Sequence, residues 1–181
     1  MRQIGIGVLG LAAALATADP AGAVIVGGWP APVRLAGEQG GRVNGEAWSS
    51  LELTGRVHAV FYVDPDVRDL NEHVSEALNR ERFPLDRYGV VAIVNLAATW
   101  KPNWLLERLL AAKQRKYPRA VYVKDRNRTL VRVWGLADNN SHILVFGPDG
   151  RVLFSRHGKF SNRDTAEFIE LIRAQVKALG K

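Results

Sequence analysis

Two strand-length apolar runs, HAVFYV (His58–Val63) and YGVVAIVN (Tyr88–Asn95), set the strongest limit on the fold. Each is β-branched, aromatic or small at almost every residue, not at alternate ones. That is the pattern of a strand covered on both faces. Between them Leu70, Val74, Ala77 and Leu78 fall at i, i+4, i+7 and i+8, the stripe of an amphipathic helix. Pro84 then separates that helix from the second strand.

The pattern continues downstream. NWLLERLLAAKQRK predicts a second helix, stopped by Tyr117-Pro118. Ala120–Lys124 and Thr129–Trp134 read as strands joined by the turn DRNR, and ILVFGPDGRVLFSRHG as a β-hairpin turning at Gly147–Gly150. In SNRDTAEFIELIRAQVKALG, Ser161 and Asp164 form a capping-box start. Phe168, Ile169, Ile172 and Val176 make its apolar stripe, and Gly180 a C-terminal stop. Upstream, GEQGG (Gly37–Gly41) reads as a hairpin turn between Val33–Ala36 and Arg42–Asn44. Interleaved strands and helices with an antiparallel hairpin on one side predict an α/β domain, a mixed β-sheet flanked by helices. No internal repeat or linker divides the chain.

The first residues, MRQIGIGVLGLAAALATADPAGA, have the layout of a secretory signal peptide: Arg2, an apolar run from Ile4 to about Ala16, Pro20, then Ala21-Gly22-Ala23. The run is too short for a membrane span. Cleavage is expected after Ala23, with Ala18 as the alternative, leaving a periplasmic domain of residues 24–181 with no transmembrane segment. The chain has no cysteine, which excludes a disulfide, a thiolate nucleophile and dithiol redox chemistry. Its formal charge of +7 favours anionic partners. No cofactor motif is present.

The strand-to-helix loop Asp64-Pro65-Asp66-Val67-Arg68-Asp69 is the candidate site, because such loops carry the ligand or chemistry of many α/β proteins. Asp66 or Asp69 could cap the following helix. Asp64, Asp66 and Asp69, with Asn71 or Glu72, could instead hold an oxygen-liking cation, although Arg68 interrupts them and no glycine makes the sharp turn. The loop could also be an acidic docking surface. Ser141, His142 and Asp64 do not suit a hydrolase triad, since neighbours on an extended chain point to opposite sides. His58, His73 and His157 lack metal-ligand spacing.

A second candidate is the basic stretch carrying Lys113, Arg115, Lys116, Arg119, Lys124, Arg126, Arg128 and Arg132 against Asp125. It reads as a solvated face or as a landing surface for an anionic envelope component. Nucleic acid is not an expected partner, because no groove-entering helix is recognisable and the leader directs the chain outward. Trp100 and Trp104 are candidates for a contact patch.

Leu53-Thr54-Gly55-Arg56-Val57, leading into the first long strand behind a Pro-led hairpin, resembles the opening of the redoxin branch of the thioredoxin-like fold. The ordered set Trp48-Ser49-Ser50, Asp86-Arg87-Tyr88 before Ile93-Val94-Asn95, Lys116-Tyr117-Pro118, Trp134 and Asp149-Gly150-Arg151-Val152 is similar to the YtfJ family of periplasmic thioredoxin-like proteins. The resemblance implies a thioredoxin-like sheet with an N-terminal β-hairpin extension. It also implies that the Asp64–Asp69 loop stands where redox members carry Cys-x-x-Cys. Their cis-proline falls near Ser141, in Asn139-Asn140-Ser141-His142. Both redox elements are missing. The expectation is an exported binding or adaptor protein using Asp64, Asp66, Asp69, Asn139, Asn140 and Ser141, together with the basic surface, to recognise a periplasmic protein or anionic envelope component. A non-redox, metal-dependent enzyme built on Asp64, Asp66 and Asp69 is the alternative.

Overall fold

The computed structural model describes residues 23–180; of the expected leader, residues 1–23, all but Ala23 lie outside them. The chain begins with the short strands β1 (Arg34–Leu35), β2 (Gly40–Arg42) and β3 (Trp48–Ser49). The core follows as β4 (Val57–Val63), α1 (Glu72–Glu81), β5 (Tyr88–Asn95), α2 (Asn103–Lys116), β6 (Ala120–Asp125) and α3 (Thr129–Trp134), then β7 (Ser141–Phe146), β8 (Val152–His157) and α4 (Asn162–Ala178). Six strands form one sheet in the order β2-β6-β5-β4-β7-β8, with β4, β5 and β6 parallel and the outer neighbours antiparallel.

The apolar runs that set the sequence reading are the two central strands. Because side chains alternate across a strand, Val57, Ala59 and Phe61 pack with Val74, Leu78, Phe168 and Ile172 of α1 and α4. On the same side Val94 and Tyr122 meet Leu106 and Leu110 of α2. Val60, Tyr62, Val91, Ile93 and Val123 face the other way, under Leu35, Trp48, Leu130 and Trp134. The N-terminal extension and α3 therefore make the second layer. Ser161 and Asp164 form the expected capping box of α4, which runs to Ala178.

Three local expectations are corrected. GEQGG is not a hairpin turn: Gly37–Gln39 is a 3-10 turn, β1 pairs with β3, and β2 pairs with the edge of β6. Gly40 explains the difference, since at φ 131° it runs so close to β6 that a Cβ would lie 1.9 Å from the Lys124 carbonyl oxygen. Thr129–Trp134 is a helix, not a strand. Its backbone N–H groups at Thr129 and Leu130 are taken by the Asp125 carboxylate at 2.9 and 3.0 Å, Leu130 and Trp134 bury one side, and Gly135 ends it in the left-handed conformation at φ 66°. Finally, α1 starts at Glu72, beyond Leu70, and neither Asp66 nor Asp69 caps it.

Candidate carboxyl-edge binding site

The carboxyl ends of β4, β5 and β6 lie side by side, so the segments that leave them form one edge. Asp64 directly follows β4 and is almost fully buried. Its carboxylate accepts the Asp66 N–H at 2.8 Å, capping the 3-10 turn Pro65–Val67, and its own N–H donates to the Asn140 carbonyl at 3.0 Å. Burial holds the Asp64 carboxyl above its ordinary value, against the backbone hydrogen bond from Asp66 that lowers it. Asp66 is shifted the opposite way, first by a hydrogen bond from the Lys101 ammonium and then by one from Thr99. Asp66 and Lys101 are an ion pair.

Asp138 sits across the edge. Asn95 Nδ2 donates to its Oδ1 at 2.9 Å, and Arg128 Nε lies 3.3 Å from its Oδ2. Arg128, with φ 53°, also donates to the Ala97 carbonyl at 2.8 Å. Asp125 faces inward, accepting from Tyr62 Oη and from three backbone N–H groups, those of Asn127, Thr129 and Leu130. Burial first, and Asp125 second, drive the Tyr62 hydroxyl far above its ordinary pKa. Two polar atoms here are buried without a hydrogen-bond partner among the described residues, Asn95 Oδ1 and Arg128 Nε.

The structure joins some predicted site residues and separates others. Asp64 and Asn140 are bonded directly, and Asn140 Oδ1 also accepts the Ser141 N–H at 2.8 Å. Ser141 is buried, its Oγ accepting from Asn71 Nδ2 at 3.0 Å. Asn71 further donates to the Gly158 carbonyl and accepts the Phe160 N–H, so this pair ties the loop to the foot of α4. Asn139 is exposed at φ 52°, and no peptide bond among the described residues is cis. Asp69 points to solvent beside Arg68, 3.4 Å away. Among the described residues no three His, Asp or Glu side chains converge as metal ligands, so Asp64, Asp66 and Asp69 do not form a cation cage. His142 turns away from Ser141: its Nδ1 accepts the Ala137 N–H, and its Nε2 faces Ser155 Oγ.

The basic stretch is not one face. Lys113, Arg115 and Lys116 are exposed in the last turn of α2, where a helix favours cations. Arg126 pairs with Glu107 on α2 and Arg128 with Asp138, while Arg119 lies at the opposite end of β6. Sequence reasoning missed Asn95, Lys101 and Asp138, which come from the end of β5 and two separate loops. An Asn closing an apolar strand was the only local sign. Beside Lys101 stand Trp100, 87% exposed, and Trp104, 68% exposed.

Residues 35–175 match the family model described as a bacterial protein of unknown function, YtfJ_HI0045. The uncharacterized protein YtfJ of Escherichia coli (strain K12) is 24% identical over 135 residues, 73% of each chain. A Haemophilus influenzae protein, also uncharacterized, matches at the same identity and coverage. Among solved structures, the exposed lipoprotein thioredoxin of Streptococcus pneumoniae strain TIGR4 superposes with a TM-score of 0.58 at 12% identity, over 80% of this chain and 99% of that one. The sheet order and this superposition make the fold thioredoxin-like.

Proposed function

We propose, for a chain that belongs to the bacterial YtfJ_HI0045 family, that the carboxyl edge of its thioredoxin-like sheet is a protein-binding surface and not a catalytic centre. The domain acts outside the cytoplasm as an adaptor or accessory factor. Its leader-like N-terminus supports that location, and its lack of cysteine leaves it no thiol chemistry to perform.

The observation that carries it is the exposure of Trp100 and Trp104 beside the Asp66–Lys101 pair. Two large indoles left in water at the edge of a folded domain are costly unless a partner covers them, and tryptophan is enriched where interfaces concentrate their energy. The carboxylates next to them are already committed, to an ammonium, a guanidinium or backbone N–H groups. The edge thus offers apolar area and fixed charges, and no free carboxylate.

Site-specific photo-crosslinking in the living envelope tests this, with one probe at Asp66 and a control probe at Arg173 on α4. A discrete adduct is expected from Asp66 alone, lost when Trp100 and Trp104 are both changed to alanine. Silence at Asp66, or an adduct indifferent to the tryptophans, would overturn the assignment.

A further inference from the structure

At the opposite end of the sheet, the amino ends of β4, β5 and β6 open onto a cleft of about 190 Å³. Arg42, Arg56, Arg119, His58 and Trp48 are among its walls, with Gly89 at its floor. Arg42 is neutralised by Glu52, which also lines the cleft. The other two guanidiniums have only neutral partners. Arg56 donates from Nη1 to the Leu85 carbonyl at 2.5 Å and from Nε to His58 Nε2 at 3.3 Å. Arg119 donates from Nη2 to the Phe83 carbonyl at 2.7 Å. Among the described residues neither lies within ion-pair distance of a carboxylate.

His58 does not supply the missing negative charge. It is 3% exposed, and because its Nε2 accepts from Arg56 the ring proton sits on Nδ1, which has no acceptor. The two free cations are held by carbonyls only two residues apart, on the loop between α1 and β5, and both line the cleft. Gly89 keeps the floor open: a Cβ there would lie 2.9 Å from His58 Cδ2 and 3.0 Å from Arg56 Nε.

We propose that this cleft binds one small dianion of the phosphate class, either inorganic phosphate or a phosphate monoester, through Arg56 and Arg119. Two guanidiniums without a counter-charge match a doubly charged group, and their planar forks suit phosphate oxygens. A cleft of this size holds one such group with a small substituent, not a polymer. The site is at the far end of the sheet from Trp100 and Trp104, so it can fail without the adaptor reading failing, and the reverse.

The test is calorimetric titration of the purified protein with inorganic phosphate, glycerol phosphate, succinate and chloride at constant ionic strength. Saturable one-site binding of a phosphate species is expected, with chloride inert. Tighter binding of glycerol phosphate than of inorganic phosphate would identify an ester as the ligand, and the reverse order the free ion. Arg56→Gln and Arg119→Gln should each weaken binding about tenfold, whereas Trp100→Ala should not change it. Arg119 is exposed, so its variant should fold even if the Arg56 one does not. Gly89→Ala should also lose binding, with every charge retained. Phosphate heats no larger than those of chloride, affinity unchanged in Arg119→Gln, or succinate binding more tightly than either phosphate species would overturn the proposal.

Discussion

Asp125 shows how one side chain decides a local fold. It is fully buried, and its two oxygens serve the start of α3 and the Tyr62 hydroxyl together. Removing it leaves four donors without their acceptor, of which the Tyr62 hydroxyl and the Leu130 N–H are buried, so Asp125→Ala should cost roughly 3 kcal/mol, read from urea denaturation. Asp125→Asn keeps one acceptor oxygen and should cost distinctly less; equal losses would mean the network is not what matters. The buried histidines make a second residue-scale prediction. Burial first, then Arg56 for His58 and His157 for His142, lowers both to about 4 from an ordinary 6.5. Below pH 6.5 the unfolded chain takes up these protons before the folded one does. Stability should therefore fall as pH drops from 6.5 to about 4 and then level off, each histidine removing about 2 kcal/mol by pH 5. Asp64, held high by burial, acts with the opposite sign. Denaturation at pH 7 and pH 5 measures the sum, and His142→Gln should remove about half of the slope. Of these residues, only Asp64 was legible in the sequence as a site candidate. Asp125 looked like one acid in a basic run, because its role depends on a tyrosine 63 positions away.

At the scale of elements, the long periodic segments were legible and the short ones were not. The central strands, α2, the β7–β8 hairpin and α4 lie where hydrophobic periodicity and capping residues put them. TLVRVW is β-branched and alternates, which favours a strand, yet it forms α3. The free edge of β6 is taken by β2, and the Asp125 carboxylate takes the Thr129 and Leu130 N–H groups, starting a helix whose Leu130 and Trp134 reach the core together. Tertiary context outweighed propensity over six residues, as it did in GEQGG. That second case gives a test. Gly40→Ala puts a methyl against the Lys124 carbonyl, with no flexible side chain to yield. It should cost about 2 kcal/mol or more and loosen the β2–β6 pairing. Amide exchange should rise at Arg126, whose N–H is held by the Gln39 carbonyl at 3.0 Å. A variant as stable as the parent would show that β2 does not depend on this close approach.

For the whole molecule, the question is where the folded domain begins, and the N-terminal segment answers it. Val24 N–H donates to the Trp134 carbonyl at 3.0 Å, at the end of α3, and Val24 packs against the core on that side of the sheet. Gly27 N–H donates to the Val152 carbonyl at 2.7 Å, and Val152 N–H returns to the Gly28 carbonyl at 2.9 Å. Trp29 then bonds the Asp149 carbonyl and carries the Arg151 guanidinium 4.6 Å from its ring centre. Residues 24–29 thus lace α3 to the β7–β8 hairpin, while the predicted cleavage after Ala23 falls immediately before the first of these bonds. Cutting there would place the new ammonium at the Trp134 carbonyl, where a helix end favours positive charge. Mass spectrometry of the exported protein should find Val24 as its first residue. A chain starting at Val24 should be as stable as one starting at Asp19. One starting at Pro30 should lose about 2 kcal/mol or more, from the backbone bonds and the Val24 packing given up. If the three chains unfold at the same urea concentration, the segment only rests on the sheet, and the domain begins instead at the strands around Trp48.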